Sequence, residues 1–195
     1  MNSSTLTLIV IAAAIVILGV ILWAALQKRR TNTLRSQFGE EYDRTVEAEG
    51  KRAKAEAALE ERAERVAKLE IRPLDPRERD RAIADWRETK ALFVDSPVEA
   101  VHRADRVLSE IMSARGYPMA DFDRRFEDLS VDHGEVARHY RNGHALVVNH
   151  GKGQGSTEDL RQAMIHFEAL FDDLVNEVAH DDEARPVKSR TRADH

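Results

Sequence analysis

From Leu6 to Leu26 the chain reads LTLIVIAAAIVILGVILWAAL, an uncharged run followed, after Gln27, by Lys28, Arg29 and Arg30. About 20 apolar residues, each rising about 1.5 Å in a helix, cover the roughly 30 Å hydrocarbon core of a bilayer. The run predicts one transmembrane helix, with everything after it hanging from a lipid bilayer. A cleaved export signal begins with basic residues and has a shorter apolar core. Met1 to Thr5 has no basic side chain, and Trp23 and the basic cluster occupy the place of a cleavage region. Ala24 and Ala25 keep a processed, exported chain as the alternative. Basic flanks stay on the cytoplasmic side, so the short N-terminus is expected outside and the C-terminal domain in the cytoplasm. Trp23, Lys28, Arg29 and Arg30 then sit at the membrane interface. Gly19 is flanked four positions away by Ile15 and Trp23, so no GxxxG dimer seam is present.

Composition narrows the function of the remainder. Lys and Arg total 30 against 35 Asp and Glu, a net charge of −5 carried wholly by the part after Leu26. A mildly acidic domain argues against nucleic acid as a partner. The absence of Cys excludes disulfides, Cys-ligated zinc, iron-sulfur clusters and thiol chemistry.

Beyond the anchor, Leu34, Phe38 and Tyr42 recur every fourth residue, continuing an apolar stripe past a possible interruption at Gly39. From about Glu40 to Leu69 the chain is rich in Ala, Glu, Lys and Arg. Glu40 and Arg44, Glu47 and Lys51, Glu61 and Arg65, and Glu64 and Lys68 stand four apart in the favourable order. One long helix is expected, serving as a solvated stalk or as a short dimeric coiled coil. Ala55, Leu59, Val66 and Leu69 fit a seam, and Leu59, Val66 and Leu69 are the candidates for self-association as a weak homodimer. Arg52, Arg62 and Glu41 share that register and Gly50 weakens the helix, which argues against a sustained coil.

Pro73 and Pro76 mark a boundary. Helices are expected near 76–94, 97–115, 119–129, 133–149 and 157–179. Their starts are written in Asp75-Pro76-Arg77-Glu78, Ser96-Pro97-Val98-Glu99 and Asp132-His133-Gly134-Glu135. Ile83, Trp86 and Phe93, then Val101, Ala104, Leu108 and Ile111, supply apolar stripes, and Gly116 suits a helix C-terminus. Leu160, Met164, Phe167, Phe171, Leu174 and Val178 make the last helix the strongest core element. No stretch alternates with the period of a strand. The expected fold class is all-α, with a short N-terminal segment (1–5), an anchor (6–26), a juxtamembrane and stalk helix (27–72), a helical bundle of four or five helices (73–179) and a disordered tail (180–195).

Catalytic motifs are missing. Gly151-Lys152-Gly153-Gln154-Gly155-Ser156-Thr157 precedes a helix but lacks the spacing of a phosphate-binding P-loop, and Glu158 and Asp159 would repel phosphate. It reads as a connector. His133, His139, His144, His150 and His166 show no H-E-x-x-H pattern, so neither a metal site nor any other cofactor is expected. Close acidic pairs such as Asp121 with Asp123 and Asp172 with Asp173 are ordinary in so charged a chain. No catalytic residue is assigned.

Three stretches, Leu34-Arg35-Ser36-Gln37-Phe38-Gly39 through Tyr42-Asp43-Arg44-Thr45-Val46, Ala114-Arg115-Gly116-Tyr117-Pro118, and Ser156-Thr157-Glu158-Asp159-Leu160-Arg161-Gln162-Ala163-Met164, together carry a resemblance. They resemble a group of functionally uncharacterised bacterial proteins described as membrane or secreted, and the likeness spans most of the chain past the anchor. It implies no activity, catalytic residue or cofactor. The sequence thus points to a membrane-anchored interaction or scaffold protein with a protein partner. The alternative is a tethered small-ligand sensor or enzyme whose pocket gathers His139, Tyr140, His144 or Trp86 between bundle helices.

Overall fold

The computed structural model describes residues 3–176, so the expected tail (180–195) and the last apolar position, Val178, lie outside the described residues. Within them are eight helices and no strand. Helix α1 (Ser3–Phe38) runs unbroken for 36 residues, about 54 Å. It is long and apolar enough to cross a membrane, and its apolar side chains from Ile11 to Leu26 are exposed.

The single helix expected over 40–69 is instead two. At Gly39 the backbone turns to φ 53°, and α2 (Glu40–Glu49) leaves in a new direction. Gly50, at φ 69°, ends α2 in the left-handed conformation and returns its N–H to the Val46 carbonyl at 3.0 Å. Helix α3 (Arg52–Val66) then folds back along α2. A hairpin stands where the long helix was expected, because a left-handed glycine terminates a helix more effectively than pairs of exposed charges sustain it.

That hairpin closes a small core. Leu34 and Phe38 from α1, Tyr42 from α2, Leu59 and Val66 from α3 and Val131 from a later helix are all buried together. Leu69 is partly buried against both this cluster and the main one. The self-association seam expected at Leu59, Val66 and Leu69 is therefore turned inward: the same apolar stripe is satisfied by the chain's own α1 and α2.

Among the described residues, five helices follow Pro73. Helix α4 (Pro76–Leu92) opens with a complete capping box, in which Asp75 accepts from the Arg77 and Glu78 amides and Glu78 accepts from the Asp75 amide. Helix α5 (Pro97–Ala114) starts at its proline and ends at Gly116, whose φ of 101° allows the Tyr117 amide to reach the Met112 carbonyl at 3.0 Å. A Cβ at Gly116 would lie 2.4 Å from the Glu70 carbonyl oxygen, so glycine is also required by the incoming chain.

Helix α6 (Phe122–Asp132) begins three residues later than expected because Asp121 caps it through the Arg124 amide. Helices α7 (Gly134–Gly151) and α8 (Thr157–Asn176) form the closest pair, with Gly143 facing the Phe167 ring. Eight α8 side chains from Leu160 to Val175 are buried against α4, α5 and α7. Burying side chains of this size contributes about 1.5–3 kcal/mol each, which makes α8 the centre of the main core.

Candidate functional site

The feature that distinguishes this molecule from an isolated bundle is the junction at which the apolar helix enters it. The four-residue spacing of Leu34, Phe38 and Tyr42 puts one stripe on the inner side of α1 and α2, 5%, 0% and 1% exposed respectively. Gly134, the first residue of α7, lets the end of α1 come close, since a Cβ there would stand 3.0 Å from the Gln37 carbonyl oxygen.

A polar cluster sits on this apolar seat. Glu56, 3% exposed on α3, accepts hydroxyl hydrogen bonds from Thr31 on α1 at 2.7 Å and Tyr42 on α2 at 2.8 Å, both on Oε1. Burial disfavours its charge, yet the two hydroxyl donors and the nearby Arg30 and Arg52 outweigh that cost and hold its carboxyl below the usual range. Burial and the bond to Glu56 push the Tyr42 phenol upward. One turn further along α3, Glu60 takes the Arg30 guanidinium in a two-pronged ion pair. Arg35 reaches Asp43 at 2.9 Å and lies over the Tyr42 ring, 5.0 Å from its centroid.

A second chain of charges ties the hairpin to α6 and α7. Arg141 donates to Glu41 at 2.7 Å, and Arg62 lies between Glu41 and Glu127 at 3.5 and 3.4 Å. Arg65 donates to Glu127 and to the 1%-exposed Asp128, both at 2.9 Å. Arg138 closes on Glu40 at 2.9 Å, and the Arg141 guanidinium stacks 4.5 Å above the Phe126 ring. Between Gly39, Glu41, Phe126, Gly134 and Arg138 remains a cleft of about 160 Å³. The arrangement clamps four segments together.

Of the residues expected at the membrane interface, Trp23, Lys28 and Arg29 are exposed, whereas Arg30 is bound to Glu60. Of the side chains expected to converge in a pocket, Tyr140 and His144 both pack on Phe122, whereas Trp86 and His139 lie against other partners. Trp86 stacks on Phe171 at 4.5 Å, and Tyr140 donates to Asp105 at 3.0 Å. His144 lies flat on Phe122, with centroids 3.6 Å apart. His139 meets His166, Nδ1 to Nδ1, at 2.9 Å across α7 and α8.

None of these four residues lines the 160 Å³ cleft, the roughly 300 Å³ groove between α4 and α5, or the open hollow at the start of α5. His133 faces Asp173 at 2.5 Å. Among the described residues no group of three or more His, Asp or Glu is placed to hold a metal ion. The loop before α8 spends its polar groups on a cap: Ser156 and Asp159 bond reciprocally, amide to side chain, at 2.6 and 3.2 Å.

Glu41, Glu56 and Asp128 carry the junction; in the sequence Glu41 stands out only as an interruption of a coiled-coil seam, and Glu56 and Asp128 are not singled out. The available signal was Glu56 lying between Ala55 and Leu59 on the inward side of α3. No protein family, curated protein or solved structure matches the chain.

Proposed function

We propose that this protein is a single-pass membrane scaffold: α1 crosses the bilayer with its N-terminus outside, and the helical domain binds a protein partner at the cytoplasmic surface. The observation that supports this reading is the continuity of α1, which passes from an exposed apolar helix into the buried positions Leu34 and Phe38 with no intervening linker. Such an arrangement presents the bundle to a partner in a fixed pose, which lowers the ordering cost of association. The engagement of Trp86, His139, Tyr140 and His144 in packing contacts favours recognition by surface over chemistry in a pocket. The basic residues Lys28 to Arg30 favour the cytoplasmic placement of the domain.

The test uses photocrosslinking residues at the exposed positions Val94 and Met119 of the full chain in native membranes. A discrete adduct with a second protein is expected. Adducts with lipid alone, or none, would count against the scaffold. Single cysteines at Ser3 and Met119, challenged with a membrane-impermeant thiol reagent in intact cells, test the orientation independently. Labelling at Met119 would reverse it.

A further inference from the structure

The α2–α3 hairpin docks the first turns of α3, which carry a second set of cations, on the basic end of α1. Arg30 and Thr31 follow Leu26 by four and five residues on one continuous helix, which puts them about 6–8 Å beyond the end of the apolar run. The headgroup layer on each side of a bilayer is about 5–8 Å thick, so both residues stand at its outer edge. Glu60 is bound to Arg30 and Glu56 to Thr31. Two successive turns of α3 thus meet two adjacent residues of α1, which holds this part of α3 at the level of the headgroup edge.

The start of α3 lies one helical turn, about 6 Å, from Glu56. Arg52 shares a helix side with Glu56, four residues on, and is close enough to act on the charges of both Glu56 and Tyr42. Lys51 precedes it at the N-cap, and Lys54 is held by Glu49 at 2.6 Å. Lys28, Arg29, Lys51 and Arg52 are all exposed, while Arg30 and Lys54 are engaged by acids. The acidic side chains beside this tip are Glu49, occupied by Lys54, and the exposed Glu47.

We propose that Lys51 and Arg52 at the hairpin tip, together with Lys28 and Arg29 on the anchor, form a binding surface for anionic phospholipid headgroups. Clusters of four or more Lys and Arg beside a transmembrane helix recognise anionic lipid, and long basic side chains span the remaining distance to the phosphate layer. The anchor alone supplies two free cations at this level. The fold, by breaking the helix at Gly50, brings two more from residues far along the chain. The proposal rests on the reading of α1 as a membrane span, and the experiment separates the two.

A single cysteine at the exposed Ala53, in a chain otherwise without Cys, carries a nitroxide label; the full chain is assembled into nanodiscs of phosphatidylcholine alone or with added phosphatidylglycerol. Elution of the chain with the discs tests the span. Accessibility of the label to a water-soluble relaxation agent tests the surface. It is expected to fall several-fold in the anionic discs, to recover at about 1 M salt, and to stay high when Lys51→Glu and Arg52→Glu are combined. A label at Val94 is expected to be indifferent to lipid charge. Equal accessibility at Ala53 in the two disc types, or a fall that survives the charge reversal, would overturn the proposal even with the chain firmly in the discs.

Discussion

Thr31 and Tyr42 lie on opposite sides of the break at Gly39, yet their hydroxyls donate to one and the same oxygen of Glu56, at 2.7 and 2.8 Å. A single carboxylate on α3 therefore joins the long apolar helix α1 to the hairpin. Replacing it by Ala leaves the buried Tyr42 hydroxyl and the half-buried Thr31 hydroxyl without an acceptor, at about 1–3 kcal/mol. Glu56→Gln retains an acceptor and is expected to cost less. Urea unfolding of the full chain in micelles, followed by circular dichroism, compares them.

The same residue sets an acid limit. Its folded pKa lies below the unfolded carboxylate value, so its contribution is complete above that value, about 4.3. It is lost as pH falls through the lower folded value. Stability of the wild type is expected to drop more steeply than that of Glu56→Gln between about pH 5 and pH 3. Parallel slopes in that window would show the carboxylate to be unengaged.

Arg65 and Asp128 offer a sharper case because Asp128 is 1% exposed. Arg65→Met strands that charge and is expected to destabilise by about 3–5 kcal/mol. Asp128→Asn in the same background is expected to restore much of the loss, and a double-mutant cycle by urea unfolding measures the coupling.

These carboxylates mark the boundary of what could be read from the sequence. Helices α4, α5 and α8 were legible because their signals are local: the Asp75 to Glu78 box, Pro97, and the stripe from Leu160 to Leu174 each act within a few residues. The hairpin was not. Its ion pairs at spacing four suggest continuity through Gly50, whereas the outcome depends on Leu59 and Val66 finding Leu34, Phe38 and Val131, a tertiary fact. A buried Glu56 and an exposed Glu61 look alike in a list of residues. Only partners from other segments tell them apart. For the same reason the apolar seam at Leu59 and Val66 reads as a dimer contact until α1 is seen to occupy it.

Two helical glycines should respond oppositely to Ala. At Gly143 the new methyl would meet the Phe167 ring at 2.6 Å and the Ala163 carbonyl at 3.3 Å, so a loss of about 1–3 kcal/mol is expected. At Gly151 it would meet nothing within 4 Å, and a gain of up to about 1 kcal/mol is expected from reduced chain entropy. Thermal melts of the two variants discriminate the cases.

His166 and His144 should make the bundle sensitive to mild acid. Burial lowers both, with the His139 and Arg138 charges adding to it at His166 and Arg125 contributing at His144, where Asp105 and Asp123 act in the opposite direction. A histidine whose folded pKa is depressed binds fewer protons than in the unfolded chain, so stability is full above about 6.5 and declines below it. The melting temperature is expected to be lower at about pH 5.5 than at about pH 7.5, and His166→Gln is expected to reduce that difference.

The unbroken α1 also fixes a bearing. A helix advances about 100° per residue, so each side of the apolar span has a set azimuth relative to the bundle, transmitted through Leu34 and Phe38. Adding one residue after Leu26 would swing the apolar half by more than a quarter of a turn while leaving every contact of the domain in place. Whatever meets the apolar half of α1 laterally therefore meets it in register with one side of the helical domain. Two proteins that each engage this chain, one on the apolar half and one on the domain, would be held at a defined angle to each other, with the helix as the axle.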